Sequence, residues 1–449
     1  MTKFSKRIIS LLAVTVICTG VLSGCSSAKE KNTSKTDTET VTLNFYTWEK
    51  SGYTEQQDNI KKAFEEKNKN IKINYIYPTD NNNNDYVQKM NTILMAGNND
   101  VDILGSAGEE EIVNWSNAGL MEPLDDHFKK EGIKYEDKYK YPLTIKGKMY
   151  TISTFETAWF VLLNKDLLDK AGLPVPPLDW TWDDYREYAK KLTSGEGSSK
   201  VFGSYMHTWV DYNKMGIYSM NDINLLYDKS GKLLVDKPMF KDWMKYRFDL
   251  ENNDKTQVPY AQAKSMNLAY RSLFFNGEVA MLPTGEWMTS EIKNVEKYPH
   301  DFVTAFAPLP KFEDGVEGQT TLTRHSFGIS AKSKHKDEAY KFLSFYAENR
   351  SKIGPMTGFT CAVDQDKGKV SDEIIGDDKK YYDVESLKKV LNNPKFKGNF
   401  IENADILIKE NVQVSDMVNE ECGKYLIGSQ SLDKLVENIN NRYDQMKTK

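Results

Sequence analysis

Residues 41–77 read VTLNFYTWEKSGYTEQQDNIKKAFEEKNKNIKINYIY, and the periodicities in this stretch decide the fold class. Val41, Leu43 and Phe45 alternate with polar residues, the two-residue period of a strand with one buried face. Thr54 and Gln57 stand at capping-box spacing, and Ile60, Ala63 and Phe64 then share one helical face. Asn68-Lys69-Asn70 closes that helix, and Ile71, Ile73, Tyr75 and Tyr77 form a second strand. Strand, helix and strand in succession make the repeating unit of a parallel α/β sheet.

The pattern continues downstream. Asn81 to Asn84 is a polar loop, Tyr86 to Met95 a helix, Val101 to Leu104 a short buried strand, and Glu109 to Asn117 a helix closed by Gly119. Met149 to Thr154 and Ala158 to Leu163 read as two strands. Past a proline loop at 174–177, Thr181 caps a helix with Asp183 and Asp184 in its first turn and Lys190 and Lys191 in its last, charges that suit the helix dipole. Residues 210–300 read as mainly helical, with Leu273 to Met281 prominent. Phe302 to Ala307 and Ser326 to Ser330 are strands, Lys336 to Asn349 is a helix, and the last hundred residues are helices around a polar stretch at 364–378.

Upstream of Val41 the chain changes character. Lys3, Lys6 and Arg7 precede an apolar run from Ile8 to Leu22, too short for a spanning helix and of the length of a signal-peptide core. It ends in Leu22-Ser23-Gly24-Cys25, which resembles the lipobox of bacterial lipoproteins. That resemblance implies cleavage before Cys25, acylation of its thiol, and a protein anchored on the outer face of a membrane. Residues 26–40, SSAKEKNTSKTDTET, cannot bury enough apolar surface to offset their ordering entropy. They read as a tether reaching roughly 20 Å as a coil.

Without residues 1–24, the 449-residue chain is still longer than one hydrophobic core usually supports, so two lobes are expected. A net charge of −5 lacks the basic excess of a nucleic-acid partner. Aromatics reach 12%, which suits a large core or a stacking site. Cys361 and Cys422 either pair or stand as separate buried thiols.

Several segments, in order, resemble the extracellular solute-binding proteins of ABC transporters, in the sugar-binding group that includes maltose-binding protein. They are LNFYTWEKSG at 43–52, AFEEKNKNIKINY at 63–75, MNTILMAGNNDVDIL at 90–104, NAGLMEPLDD at 117–126 and FFNGEVAMLPTGEW at 274–287. SFGISAKSKHKDEAYKFLSFY at 326–346 adds to these, and FVLLNKDLLDKAGLPVPPLDWTWDDYREYAKKLT at 160–193 is the most specific. The resemblance implies an α/β fold of two lobes with an interlobe hinge and a ligand cleft. It puts chain crossings near 150–158, 300–306 and 346–358. Lobe one would take 41–156 with 304–350, and lobe two 157–303 with 351–449. The implied function is binding a sugar, an oligosaccharide by expectation, and delivering it to permease subunits. The chain is expected to be a monomer without cofactor or metal.

A sugar site needs aromatic faces for the ring C–H groups and charged or amide groups for the hydroxyls. Trp48, Glu49 and Lys50 follow the first strand, and the family resemblance puts an acid and a base there against hydroxyls; the competing reading is a solvated pair beside a core Trp. Ser106, Glu109 and Glu110 sit at the next strand end, where the acids equally suit a helix N-terminus; the resemblance would put a Trp nearby, and this chain has Ala107. Glu156 and Trp159 flank the first crossing, and His207 and Trp209 lie between turn residues. Trp287, with Glu286 beside it, matches the family's ligand-stacking Trp. Arg324 and His325 precede a strand near the second crossing. No metalloprotease, P-loop, C-x-x-C or nucleophile-elbow motif occurs, and the five His are scattered. No catalytic activity is expected. The rivals are a surface glycoside hydrolase, which needs only two carboxylates, and the same fold serving a peptide, polyamine or iron complex.

Overall fold

The computed structural model describes residues 40–218, 226, 232–355, 358–363, 367–396, 398 and 411–447. The expected signal segment, the Cys25 box and all of the tether but Thr40 lie outside the described residues. Among the described residues there are eleven strands: β1 Val41–Tyr46, β2 Ile71–Ile76, β3 Ile103–Ser106, β4 Thr144–Ile145, β5 Lys148–Met149, β6 Thr151–Asn164, β7 Phe202–Ser204, β8 Val279–Gly285, β9 Thr304–Pro308, β10 Leu322–Ile329 and β11 Phe359–Thr360.

The spine of the molecule is β6. Two strands were expected over its length, because Glu156 and Thr157 interrupt the apolar pattern. It is instead one strand of 14 residues, buried throughout. Its first half pairs antiparallel with β10, from Thr151 opposite Gly328 to Ala158 opposite Leu322. From Trp159 onward its partners are β8 and β9. One strand therefore serves two sheets. In the first, the order is β2-β1-β3-β10-β6, with β1 parallel to β2 and β3 and antiparallel pairing of β10 to β3. In the second, β8 lies between β6 and β7. Near the junction, β11 pairs with Glu156 and Phe155.

Each sheet has its own core. Leu43, Phe45, Ile60, Phe64, Ile152, Phe327 and Phe342 build that of the first lobe. In the second, β6 splits its side chains by the two-residue strand period. Trp159, Val161 and Leu163 enter one cluster, and Phe160 and Leu162 enter another on the opposite face. Sandwiching a sheet this way explains why β6 is continuously apolar, rather than alternating, from Ala158 to Leu163.

Several local expectations change. Helix α1 (Thr54–Lys67) has no side-chain cap. Gln57 instead donates to the carbonyl of Glu49 at 3.1 Å and accepts from the Tyr77 hydroxyl at 2.7 Å, tying the ends of the first two strands together. The run Leu273 to Met281 is not one helix. Gly277, at φ +71°, ends the helix Tyr270–Phe275, and the N–H groups of Gly277 and Glu278 close on the carbonyls of Phe274 and Leu273. The apolar run then continues as β8. Strand β9 pairs antiparallel with the second half of β6, from Pro308 opposite Phe160 to Thr304 opposite Asn164. The helix Trp182–Leu192 keeps its expected cap, with Asp184 donating its N–H to the Thr181 hydroxyl and returning a carboxylate to the Thr181 N–H. Cys361 and Cys422 are separate buried free thiols. Among the described residues no helix is long and apolar enough to cross a membrane.

Candidate ligand site

Strand β1 delivers Trp48 and Glu49 to the junction, but not to solvent. Glu49 is 0% exposed. Its carboxylate takes Arg350 Nη1 at 2.8 Å, His325 Nδ1 at 2.5 Å and the Tyr346 hydroxyl at 3.1 Å. Burial alone would raise its pKa, but the Arg350 charge and the His325 contact overcome that and hold it down to about 2. Trp48 stacks on Phe327 at 5.4 Å and meets His325 edge-on at 5.0 Å. Trp48 and Glu49, expected in a hydroxyl-binding loop with Lys50, instead come together with His325 and Arg350 in an internal ion-pair node of the first lobe. Lys50 is exposed and uses its backbone N–H on Asn81.

Strand β3 runs into helix α3 (Glu109–Asn117), with Glu109, Glu110 and Glu111 in its first turn. Ser106 is buried and holds the turn by accepting the Gly108 N–H at 3.0 Å. Glu109 pairs with Arg324 Nε at 3.2 Å. Arg324, 1% exposed, also donates to the carbonyls of Tyr141 and Pro142 at 2.7 and 3.3 Å. It clamps the hinge rather than offering a free guanidinium. Glu111, missed in the sequence, has its carboxyl pushed up to about 7 by burial and by the neighbouring Glu110 charge. Lys214, on the second-lobe helix Val210–Tyr218, lies close enough for its charge to favour ionised Glu109.

The second lobe contributes an aromatic wall. Trp287, partly exposed, donates its indole N–H to the Tyr270 hydroxyl at 3.0 Å. Trp209 lies 5.3 Å from Tyr270, 6.3 Å from Trp287 and 4.8 Å from His207. Trp159 is buried and supports Trp287 edge-on at 5.5 Å, as a core residue rather than a contact. Gly285 is required beneath Trp287, since a Cβ there would come within 1.8 Å of the indole Cζ3. His207 shares a hydrogen bond of 2.6 Å with Tyr205, and burial with the Lys264, Arg247 and Arg271 charges holds its pKa down to about 4. It is neutral at pH 7. Glu286, next to Trp287, turns away into protein and is 1% exposed. Tyr270 had no sequence signal beyond its aromatic type; its pairing with Trp287 is made by the fold.

At the hinge a cavity of about 110 Å³ is lined by Tyr141, Glu156, Thr320, Phe359 and Phe396, among others. The Tyr141 phenol hydrogen-bonds Glu156. Aromatic faces beside a carboxylate and hydroxyls suit a polyhydroxylated ring better than an apolar one. Among the described residues, no His, Cys, Asp and Glu cluster has a metal-binding arrangement.

A family model for bacterial extracellular solute-binding proteins matches residues 47–353. The chain belongs to this family. Among curated relatives, the solute-binding protein is 25% identical over 370 residues to the arabinooligosaccharide-binding protein of Bacillus subtilis, covering 79% of this chain and 80% of the relative. It is 25% identical over 248 residues to the multiple sugar-binding protein of Streptococcus mutans, covering 53% of this chain and 56% of that one. Among solved structures, a sugar transporter from Rhizobium etli in an open conformation superposes with TM-score 0.70 at 26% identity, covering 89% and 98% of the two chains. The fold also matches an ABC substrate-binding protein of Listeria monocytogenes in complex with cycloalternan, with TM-score 0.72 at 21% identity over 91% and 100%.

Proposed function

We propose that this solute-binding protein captures a saccharide outside the cell and hands it to the permease of an ABC transporter, without catalysis. The observation that carries the reading is the pair of partly exposed indoles Trp209 and Trp287, both held against the buried Tyr270 on the second-lobe frame. Flat indole faces bury ring C–H groups, and polar groups around them fix orientation. The proposed contacts are Trp209, Trp287 and His207 from the second lobe, Lys50, Glu109 and Glu110 from the first, and Glu156 at the hinge. Trp48, Glu49, Ser106, Trp159, Glu286, Arg324 and His325 act behind them as supports. The lobes are proposed to divide at Ala158/Trp159 on β6, and a bridging solute to favour the closed form through its differential affinity for it.

The finer localisation is also a proposal. Acylated Cys25 would anchor a monomer to the outer face of the membrane, with the segment after it as a tether. A thermal-shift panel of mono- and oligosaccharides, with aryl glycosides in parallel, tests the reading. A saccharide that raises the melting temperature, with no glycoside turnover, is expected. Turnover would favour a hydrolase. Stabilisation only by a peptide, polyamine or iron complex would keep the fold and replace the solute.

A further inference from the structure

Glu286 is a carboxyl that makes none of the proposed saccharide contacts. It stands in the single turn Glu286–Met288 that carries Trp287, immediately after β8. It is 1% exposed, and neither carboxyl oxygen has a hydrogen-bond partner among the described residues. A carboxylate left that way would forfeit its hydration with nothing in return.

Its surroundings belong to the hinge and the first lobe. Gly358, the residue before β11, lies so close that a Cβ on it would come within 2.6 Å of Glu286 Oε1 and 2.3 Å of the Phe155 ring. Phe155 is in the part of β6 paired with β10. The charged and titratable groups facing Glu286 are Arg350 after the helix Lys336–Asn349, Glu156 on β6, Glu49 after β1, and the Tyr53 phenol before α1. Arg350 is the only cation of this set, and Glu49 already holds it at 2.8 Å. Arg271, on the same lobe as Glu286, acts on Tyr53, and His325 is bound to Glu49. The second lobe therefore inserts an acid among two acids and one engaged cation of the first.

We propose that Glu286 is a protonation-controlled latch: as the neutral acid it lets the Trp287 turn pack against the hinge, and as the carboxylate it drives that packing apart. The inference is independent of which solute is bound. Burial, added to the Glu156 and Glu49 charges and opposed by Arg350, holds the acid well above its ordinary pKa of 4.5. The sign follows from linkage. The packed state binds the proton more tightly than a state with Glu286 hydrated, so packing is complete below the hydrated pKa. It weakens as pH rises towards the buried one.

The test is the interlobe distance between spin labels at Lys72→Cys on β2 and Lys190→Cys on the second-lobe helix. It is measured on the full chain with Cys18→Ser and Cys25→Ser, without solute, from pH 5 to pH 9. Cys361 and Cys422 are buried and lie outside the labelling reaction. The unmodified Glu286 protein should lose its short-distance population as pH rises. Glu286→Gln, neutral at every pH, should keep it. Glu111, pushed up to about 7, titrates between pH 5 and pH 9, so Glu111→Gln serves as control and should respond as the unmodified protein does. A distance distribution unchanged from pH 5 to pH 9 would overturn the proposal, whatever the variants do. So would an equal response in Glu286→Gln.

Discussion

Substituting Glu49→Gln removes the charge around which the first lobe closes on its last helix. In the structure this carboxylate is fully buried and is bound by Arg350, His325 and Tyr346. Held down from 4.5 to about 2, it favours the folded state by about 3 kcal/mol at neutral pH. The amide also leaves the Arg350 guanidinium buried without its counter-charge, and breaking such pairs costs about 3–5 kcal/mol. The two figures describe the same interaction from its two sides, so the expected loss is about 3 kcal/mol, not their sum. The pH dependence gives the sharper test. A depressed carboxyl contributes its full stability above pH 4.5 and loses it as pH falls towards 2. Urea denaturation of the first lobe, followed at pH 7 and at pH 3, should therefore show a wide gap between the unmodified protein and Glu49→Gln that narrows at the lower pH. A gap of the same size at both values, or none at pH 7, would refute the ion-pair account.

Three further outcomes follow from the same packing. Gly285→Ala should displace the Trp287 indole, weakening saccharide binding by tenfold or more while urea denaturation still shows a cooperative fold; the new Cβ otherwise overlaps the ring at 1.8 Å. Leu162→Ala, in the fully buried half of β6, should cost about 2–5 kcal/mol in the same denaturation assay, because the cavity it leaves is ringed by packed side chains. Cys25→Ala should move the protein from the membrane fraction to the medium or leave the precursor uncut, since firm anchoring takes two or more acyl chains.

What could be read in the chain was what neighbouring residues decide. Helices α1, α3 and Lys336–Asn349 follow from apolar period and closing residues, and the structure bounds them at those residues. Strand β6 was misread because Glu156 and Thr157 look like a break in sequence, whereas the hinge buries them both. The apolar run after Leu273 misled because its single Gly277 marks a change from helix to strand, not a loop. The site was less legible still. Glu49 looked like a surface acid because Arg350, its partner, lies 301 residues away. Arg324 looked available because the carbonyls it grips, at Tyr141 and Pro142, carry no side-chain signal. Glu111 was missed because its burial, which raises its carboxyl before the Glu110 charge adds to it, is made only by the fold. Trp209 and Trp287 could be singled out by residue type and resemblance, but only the fold brings them beside Tyr270.

The central claim is that the aromatic wall binds a saccharide. Trp287→Ala tests it most directly, by calorimetric titration with the saccharide that most stabilises the unmodified protein, alongside thermal unfolding of both. A micromolar complex is worth about 8 kcal/mol, and loss of one stacking ring should remove about 2–4 of it. Binding weakened at least tenfold, with the melting temperature nearly unchanged, is the predicted result. Saccharide binding left intact while the melting temperature collapses would make Trp287 a core residue and contradict the account.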